Sequence, residues 1–373
     1  MRRLQSTTEI RHVEGQDDLR SHAFISIVVP VRNEQAHIQK TLEMLLVQDY
    51  PRDCFEILVV DGQSDDATVD IVSRISRECL NVRVISNPRQ WSSAGRNLGV
   101  QNGCGDLILI VDGHCSLKSR SHLSDLAAAF ANNGADIIGR PQPLRVPLAT
   151  AWQKAVAEAR ASRLGHHPDS FIYTETDRFV PAISVGAAYR REVFSKIGYF
   201  DESFDACEDV DFNYRADQAG LSCFFSTRAV VNYVPRKSLV ALYRQLSRYG
   251  RGRIRLWRKH PETLSLKTLL PGVFVTGLLS GPLLSLINDR LLWVYWTALL
   301  LYCSTLLTIS ALIAIRRRNF NLMVWLPVIF LTIHISAGWG ILQETLVSGW
   351  RSGWSSFQGV KVNPNVQKTS DLG

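Results

Sequence analysis

The first part of the chain alternates short apolar runs with longer amphipathic segments. Phe24–Val31, Phe55–Val60, Val82–Ile85 and Leu107–Val111 are rich in Ile, Val and Leu, which predicts buried strands. The segments between them repeat apolar residues every three or four positions, as amphipathic helices do. Because predicted strands and helices alternate, we expect an α/β fold with a mostly parallel sheet and helices on both faces.

Beyond Val111 the pattern is less regular but still predicts helices and short strands. The predicted helices are Leu123–Asn132, Leu148–Leu164, Arg190–Ile197 and one from Glu208 to Gln218. The predicted strands are Ile137–Gly139, Leu221–Phe225 and Val230–Val234. These elements would extend and close the sheet.

A different pattern begins near residue 267, where long segments lack Asp, Glu, Lys and Arg. These segments are Leu269–Ile287, Leu291–Ile315 and Leu322–Leu342. Each approaches or exceeds the roughly 20 helical residues that cross a bilayer. Pro271 and Pro282 leave open whether the first segment crosses fully, so we predict two or three transmembrane helices.

Ser238–His260, just before these segments, is strongly basic. It contributes seven Arg and Lys residues to a chain of net charge +8, interleaved with Leu, Tyr, Ile and Trp. This predicts one or two amphipathic helices on an anionic membrane surface. Nucleic acid is the other polyanion that binds such segments. The adjoining apolar segments favour the membrane, and we expect no nucleic-acid partner.

These patterns divide the chain into five predicted regions. They are a flexible tail (1–22), an α/β domain (23–235), basic interface helices (236–266), membrane helices (267–345) and a polar tail (346–373). The polar N-terminus has no signal-peptide core, and the seven cysteines are scattered without metal-site spacing. We therefore expect the α/β domain in the cytosol, with reduced thiols.

Acidic residues follow the predicted strands, where ligands of open α/β sheets bind. Asp61 ends one strand, Asp112 and His114 follow another, and Glu208 and Asp209 begin a helix. The Asp-x-His pair offers an oxygen and a nitrogen to a divalent metal, although an ordinary turn acid and a solvated histidine would give the same pattern. The dinucleotide and P-loop glycine motifs are absent from the sequence, which disfavours those sites.

Four motifs in order resemble those of the family 2 glycosyltransferases with the inverting GT-A fold. They are Ile27-Val-Val-Pro-Val-Arg-Asn-Glu34, Asp61-Gly-Gln-Ser-Asp-Asp-Ala-Thr68, Gly95-Arg-Asn-Leu-Gly99, and Gly198-Tyr-Phe-Asp-Glu202 followed by Glu208-Asp209. Two departures stand out: the usual metal motif Asp-x-Asp is Asp112-Gly113-His114, and Tyr249 replaces the Trp of a Gln-x-x-Arg-Trp signature. The Asp-x-His motif and C-terminal membrane segments most resemble bacterial succinoglycan-type exopolysaccharide glucosyltransferases.

The resemblance implies roles for individual residues. Asp209 and Glu208 would be the catalytic residues, with Asp209 as the general base. Asp112 and His114 would hold Mn²⁺ or Mg²⁺. The residues expected to bind nucleotide or substrate are Pro30, Arg32, Glu34, Asp61, Asp66, Arg96, Gly186, Gln245 and Arg248.

The implied reaction is inverting transfer of one hexose, glucose from a UDP-sugar, to a polyprenyl-linked saccharide. The product would enter exopolysaccharide or another cell-surface polysaccharide, with other assembly proteins as further partners. We expect a multi-pass protein of the bacterial inner membrane with its catalytic domain in the cytosol. Two alternatives stay open: a polyprenyl-phosphate monosaccharide synthase, and a non-catalytic membrane subunit that binds nucleotide sugars.

Overall fold

The computed structural model describes residues 22–144, 149–166, 170–172 and 174–357. By its internal contacts the chain divides into two units, Met1–Arg236 and Lys237–Gly373. Of the two predicted tails, residues 1–21 and 358–373 lie outside the described residues.

The first unit is built on a sheet whose strands have apolar residues on both faces. Its strands are β1 Ile25–Val31, β2 Phe55–Asp61, β3 Val82–Ser86, β4 Leu107–Ile110, β5 Cys115–Leu117, β6 Ile137–Arg140, β7 Arg178–Phe179, β8 Gly186–Arg190, β9 Cys223–Phe225 and β10 Val231–Tyr233. Eight of them form one sheet in the order β3-β2-β1-β4-β8-β6-β9-β7, and β5 pairs with β10. The pairs β1–β2, β1–β4, β2–β3 and β6–β9 are parallel.

Helices of the first unit cover the sheet on both sides. They are α1 Ile38–Leu46, α2 Thr68–Glu78, α3 Ser92–Asn102, α4 His122–Asn133, α5 Ala151–Ala161, α6 Arg191–Ile197 and α7 Glu208–Gln218. Along β1, Ile27 and Val29 belong to one buried cluster and Val28 to the other. Side chains of successive strand residues point to opposite faces, so both faces of the sheet are core. The predicted α/β fold with a mostly parallel sheet is confirmed.

The structure differs from the sequence pattern at β5, β7 and β8. Strand β8 runs antiparallel to both neighbours, β4 and β6. Apolar periodicity reports burial but not strand direction, so the reversal was not predicted. Strands β5 and β7 contain three and two residues, too few to show a period.

Helix α5 begins three residues later than predicted, because Thr150 caps it by accepting a hydrogen bond from the backbone N–H of Gln153.

The second unit is helical. Its helices are α8 Leu239–Lys259, α9 Leu266–Ser285, α10 Asp289–Arg316 and α11 Leu322–Phe357. The basic segment is therefore a single helix. Among the described residues, three stretches are long and apolar enough to cross a membrane: Leu266–Leu284, Asp289–Arg316 and Leu322–Val347. Pro271 and Pro282 lie inside α9.

Helix α8 packs closely on α11. A Cβ atom at Gly250 would clash with the Ala337 carbonyl, and one at Gly340 would clash with the Ser247 carbonyl, so glycine permits this approach. The carboxylate of Glu344 accepts hydrogen bonds from Arg255 and Arg258 of α8. Some of the arginines of α8 are therefore paired with an acid within the second unit.

Candidate active site

The loops after β1 and β2 hold each other at the carboxyl edge of the sheet. Asn33 has φ 57°, in the left-handed region that asparagine tolerates better than most residues. Its backbone N–H donates to Ser64 Oγ at 2.9 Å, and its side-chain oxygen accepts from the Asp65 N–H at 3.0 Å. The buried Asp61 carboxylate accepts from the Ser64 N–H and hydroxyl. The first two motifs therefore form one rigid corner.

Helix α3 begins beside this corner, and its two glycines allow a close approach to β1. A Cβ at Gly99 would clash with Val28, and one at Gly95 would lie 3.3 Å from Pro30 Cβ. Asn97 hydrogen-bonds both backbone groups of Phe200, with its amide donating at 2.9 Å and its carbonyl accepting at 2.9 Å. The Gly-Arg-Asn-Leu-Gly motif thereby fixes α3 against β1 and against the loop that leads to α7.

Arg96 of α3 joins two of the predicted acids. Its guanidinium lies 3.2 Å from the Glu208 carboxylate and 3.8 Å from the Asp112 carboxylate, and 5.5 Å from the centre of the Phe200 ring. Only 13% of the Arg96 side chain is exposed. Burial alone lowers the pKa of Arg96, but the charges of Glu208 and Asp112 outweigh it and raise that pKa well above its ordinary value. A permanent positive charge therefore sits between the end of β4 and the start of α7.

Glu208 and Asp209 differ in environment although they are adjacent. The Glu208 side chain is 8% exposed and paired with Arg96, whereas Asp209 is half-buried and accepts from the Val210 N–H at 2.9 Å. Burial and the charge of Asp209 raise the pKa of Glu208, against the attraction of Arg96. The preceding residue, Cys207, has φ 68°, a strained conformation of the kind that clusters at functional sites. Of the two acids, Asp209 is the more accessible.

Asp112 and His114 follow β4, with side chains 27% and 20% exposed. His114 Nδ1 lies 2.9 Å from the Glu34 carboxylate. Burial would lower the pKa of His114, but the hydrogen bond to Glu34 and the charge of Asp112 raise it above its usual value. Within the described residues, no three His, Cys, Asp or Glu side chains cluster as a closed metal cage. One oxygen and one nitrogen instead suit a metal that takes its other ligands from a substrate.

Comparison with known proteins identifies the family. The model of "Glycosyltransferase like family 2" matches residues 22–252. The chain belongs to this glycosyltransferase family. The predicted resemblance is confirmed, and the protein is a glycosyltransferase.

Named relatives of this glycosyltransferase come from bacteria and archaea. It is 29% identical to the succinoglycan biosynthesis protein ExoA of Rhizobium meliloti, over 74% of this chain and 82% of that protein. A second relative is the dolichyl N-acetyl-alpha-D-glucosaminyl phosphate 3-beta-D-2,3-diacetamido-2,3-dideoxy-beta-D-glucuronosyltransferase of Methanococcus voltae. The two proteins are 25% identical over 86% of this chain and 96% of that protein.

A solved structure has the same fold. The mannosyltransferase PcManGT of Pyrobaculum calidifontis, in complex with GDP-Man and Mn²⁺, superposes with a TM-score of 0.54 at 18% identity, covering 87% of each chain.

The remaining predicted residues of the glycosyltransferase lie in different places. Arg32 is exposed after β1, and Asp66 accepts from the Thr68 N–H and hydroxyl. Gly186 begins β8 opposite Arg140. Residues Gln245 and Arg248 are on α8, in the second unit, where Gln245 donates to the Tyr249 hydroxyl at 3.1 Å. Their binding roles stay predictions.

The sequence did not single out some residues that build the site. Phe200 supports Arg96 through its ring, and Tyr233 of β10 lies edge-on to His114 with ring centres 6.2 Å apart. The Phe200 position was recognised within a motif but not given a role. No local signal marks Tyr233, because it reaches His114 only through the pairing of β10 with β5.

Proposed function

We propose that this glycosyltransferase transfers one glucose from UDP-glucose to a saccharide linked to a polyprenyl lipid, with inversion at the anomeric carbon. The observation behind the proposal is the arrangement of Arg96 between the acids of β4 and α7. In this proposal, Asp112 belongs to the donor side of the site and Asp209 to its acceptor side.

On the donor side, Asp112 and His114 would hold a divalent metal together with the diphosphate. When bound, Mn²⁺ or Mg²⁺ neutralises the charge that develops on a leaving diphosphate. The complex of PcManGT with GDP-Man and Mn²⁺ supports this choice of cofactor. The rigid corner, with Asp61 and Asp66, and the neighbouring Pro30 of β1 would receive the nucleoside. Arg96 would keep positive charge beside the diphosphate.

On the acceptor side, Asp209 would act as the general base. The hydroxyl oxygen of the acceptor bonds to the anomeric carbon as its proton moves to the Asp209 carboxylate. The bond from the anomeric carbon to the diphosphate oxygen breaks on the opposite face, which inverts the configuration. Glu208, buried against Arg96, would position Arg96 and would not accept that proton.

The second unit and the relatives support the proposed acceptor and location. Three apolar helices and the basic helix α8 support attachment to a membrane, where a lipid-linked acceptor resides. The Methanococcus voltae relative is named for a dolichyl-linked acceptor, and ExoA for succinoglycan biosynthesis. We therefore propose a multi-pass enzyme of the bacterial inner membrane, active on its cytosolic side in exopolysaccharide synthesis with other assembly proteins. Tyr249 in place of the tryptophan of processive synthases favours one sugar per turnover.

The test is release of nucleoside diphosphate by the detergent-purified protein, with UDP- and GDP-sugars, Mn²⁺ or Mg²⁺, and a lipid extract as acceptor. Asp209→Asn should lower the rate at least about 100-fold, the usual contribution of a general base. Asp70→Asn is the matched control, because Asp70 is an exposed acid in the first turn of α2. It should retain the wild-type rate.

The outcomes separate the alternatives. Equal rates in Asp209→Asn and wild type would remove Asp209 from the role of base. Labelled product on plain polyprenyl phosphate, and not on a glycosylated lipid, would favour the monosaccharide synthase. Binding of nucleotide sugar without turnover for every donor, metal and acceptor would favour the non-catalytic subunit.

A further inference from the structure

The contact between Glu34 and His114 joins two loops that are 80 residues apart in the chain. Glu34 Oε1 lies 2.9 Å from His114 Nδ1. Their side chains are 19% and 20% exposed, so the pair is largely shielded from water. An interaction at this depth is screened less than a surface ion pair, and it restricts both side chains.

Glu34 is held in place before it meets His114. Its backbone N–H donates to Thr68 Oγ1 at 2.8 Å, and its carbonyl accepts from the N–H groups of His37 and Ile38, each at 2.9 Å. The first bond anchors it to the start of α2, and the other two anchor it to the start of α1. The carboxylate therefore projects from a fixed backbone.

The turn that carries His114 packs directly on the aliphatic part of the Glu34 side chain. A Cβ at Gly113 would lie 2.8 Å from Val31 Cγ1 and 3.1 Å from Glu34 Cγ, closer than ordinary contacts. Gly113 therefore allows the Asp-Gly-His turn to settle against Glu34. Tyr233 also lies edge-on to the imidazole, with ring centres 6.2 Å apart and an interplanar angle of 79°. Both Glu34 and Tyr233 therefore neighbour the ring of His114.

The contact with Glu34 determines which nitrogen of the neutral imidazole carries the proton. An ionised carboxylate only accepts hydrogen bonds, so Nδ1 must hold the proton that it donates to Glu34. In the neutral ring, Nε2 is then the nitrogen with a free lone pair. Metal-binding histidines commonly donate their other N–H to a carboxylate in this way, which fixes the tautomer and strengthens the ligand.

We propose that Glu34 is a positioning residue, which orients His114 so that Nε2 faces a divalent cation bound at Asp112. The resemblance had implied that Glu34 contacts the nucleotide. The inference rests on the metal site of the proposed function. Glu34 acts through the imidazole and touches neither the donor nor the acceptor.

The test is a titration of the full-length, detergent-purified protein with Mn²⁺ in the presence of UDP, followed by electron paramagnetic resonance. Glu34→Gln should weaken Mn²⁺ binding about 10- to 100-fold, as loss of a carboxylate behind a metal-bound histidine does. The ¹⁴N modulation from the imidazole should also be lost or weakened. Glu43→Gln removes the same charge from an exposed position on α1 and should bind Mn²⁺ like wild type.

Combining Glu34→Gln with His114→Ala distinguishes a positioning role of Glu34 from an effect of its charge alone. In His114→Ala there is no imidazole to orient, so adding Glu34→Gln should change Mn²⁺ affinity less than about twofold, since additivity fails for residues that act through one another. An equal loss in both backgrounds would mean that Glu34 acts through its charge or through the fold, and would overturn the inference.

The proposed metal site is tested separately in the same titration. If Asp112→Asn abolishes Mn²⁺ binding while Glu34→Gln binds like wild type, the metal site stands and the role of Glu34 is wrong. If Asp112→Asn binds Mn²⁺ like wild type, the metal site itself is wrong, and the inference fails with it.

Discussion

Replacing Arg96 with glutamine tests the central electrostatic feature of the site. Arg96 lies 3.2 Å from Glu208 and 3.8 Å from Asp112, with 13% of its side chain exposed. Glutamine keeps a polar group of similar reach but removes the charge. Glu208, with its side chain 8% exposed, would then be a buried carboxylate without its cation.

The magnitude follows from these distances. With an effective dielectric constant of about 20, two unit charges attract by roughly 5 kcal/mol at 3.2 Å and roughly 4 kcal/mol at 3.8 Å. Desolvation offsets most of this, and breaking a buried pair from one side typically costs about 3 kcal/mol or slightly more. For a unit of this size, that loss corresponds to a decrease in Tm of about 6–12 °C.

The stability lost in Arg96→Gln should increase as the pH rises. The folded-state pKa of Glu208 is raised, by burial first, so folding shifts this carboxyl towards its protonated form. Stability from this group is fully present below its unfolded pKa, about 4.3, and is lost as pH rises through the folded pKa. Arg96→Gln removes the attraction that opposes this shift. The variant should therefore lose more stability at pH 8 than at pH 5, by up to about 1.4 kcal/mol per pH unit.

The assay is thermal unfolding of the purified protein at pH 5, 6.5 and 8, followed by tryptophan fluorescence. Arg120→Gln is the matched control, because Arg120 pairs with Asp49 at 3.3 Å but is 70% exposed. Its loss should be below about 1 kcal/mol at each pH. If Arg96→Gln unfolds within 2 °C (roughly 1 kcal/mol) of wild type at every pH, or loses the same stability at pH 5 and pH 8, the reasoning about Glu208 is wrong.

Two further predictions concern other parts of the fold. Burial, assisted by the charge of Arg140, lowers the pKa of His122 to about 3, so its neutral form stabilises the fold above pH 6.5 and that stability falls as the pH drops towards 3. His122→Leu should therefore lose less stability than wild type between pH 6.5 and pH 4 in thermal unfolding, and parallel curves would contradict this. Gly250→Ala should destabilise the packing of α8 on α11 by about 1–3 kcal/mol. The measurement is unfolding of the detergent-purified protein, followed by circular dichroism. The matched Gly277→Ala, in open space on α9, should be neutral or slightly stabilising, and equal losses would refute the packing argument.

The motifs were recognisable because each has a local structural reason. Gly95 and Gly99 are needed where α3 approaches β1, and Asn97 binds both backbone groups of Phe200. Such requirements leave a fixed spacing in the sequence. The predicted site acids stood out in the sequence for a similar reason, since Asp61 ends a buried strand, Asp112 comes shortly after one, and Glu208 and Asp209 begin a helix. The different environments of Glu208 and Asp209 were not predictable, because neighbouring positions in a helix face different surroundings.

The sequence by itself determined the alternation of strands and helices, the apolar segments of the second unit and the order of the family motifs. These depend on periodicity and on residue types within a few positions. Only the tertiary structure decided that Glu34 meets His114, that Arg96 lies between Asp112 and Glu208, and that β8 runs antiparallel. The physical reason is that strand pairing sets which strand ends meet. Glu34 and His114, 80 residues apart, become neighbours only through that pairing, and no local pattern encodes their distance.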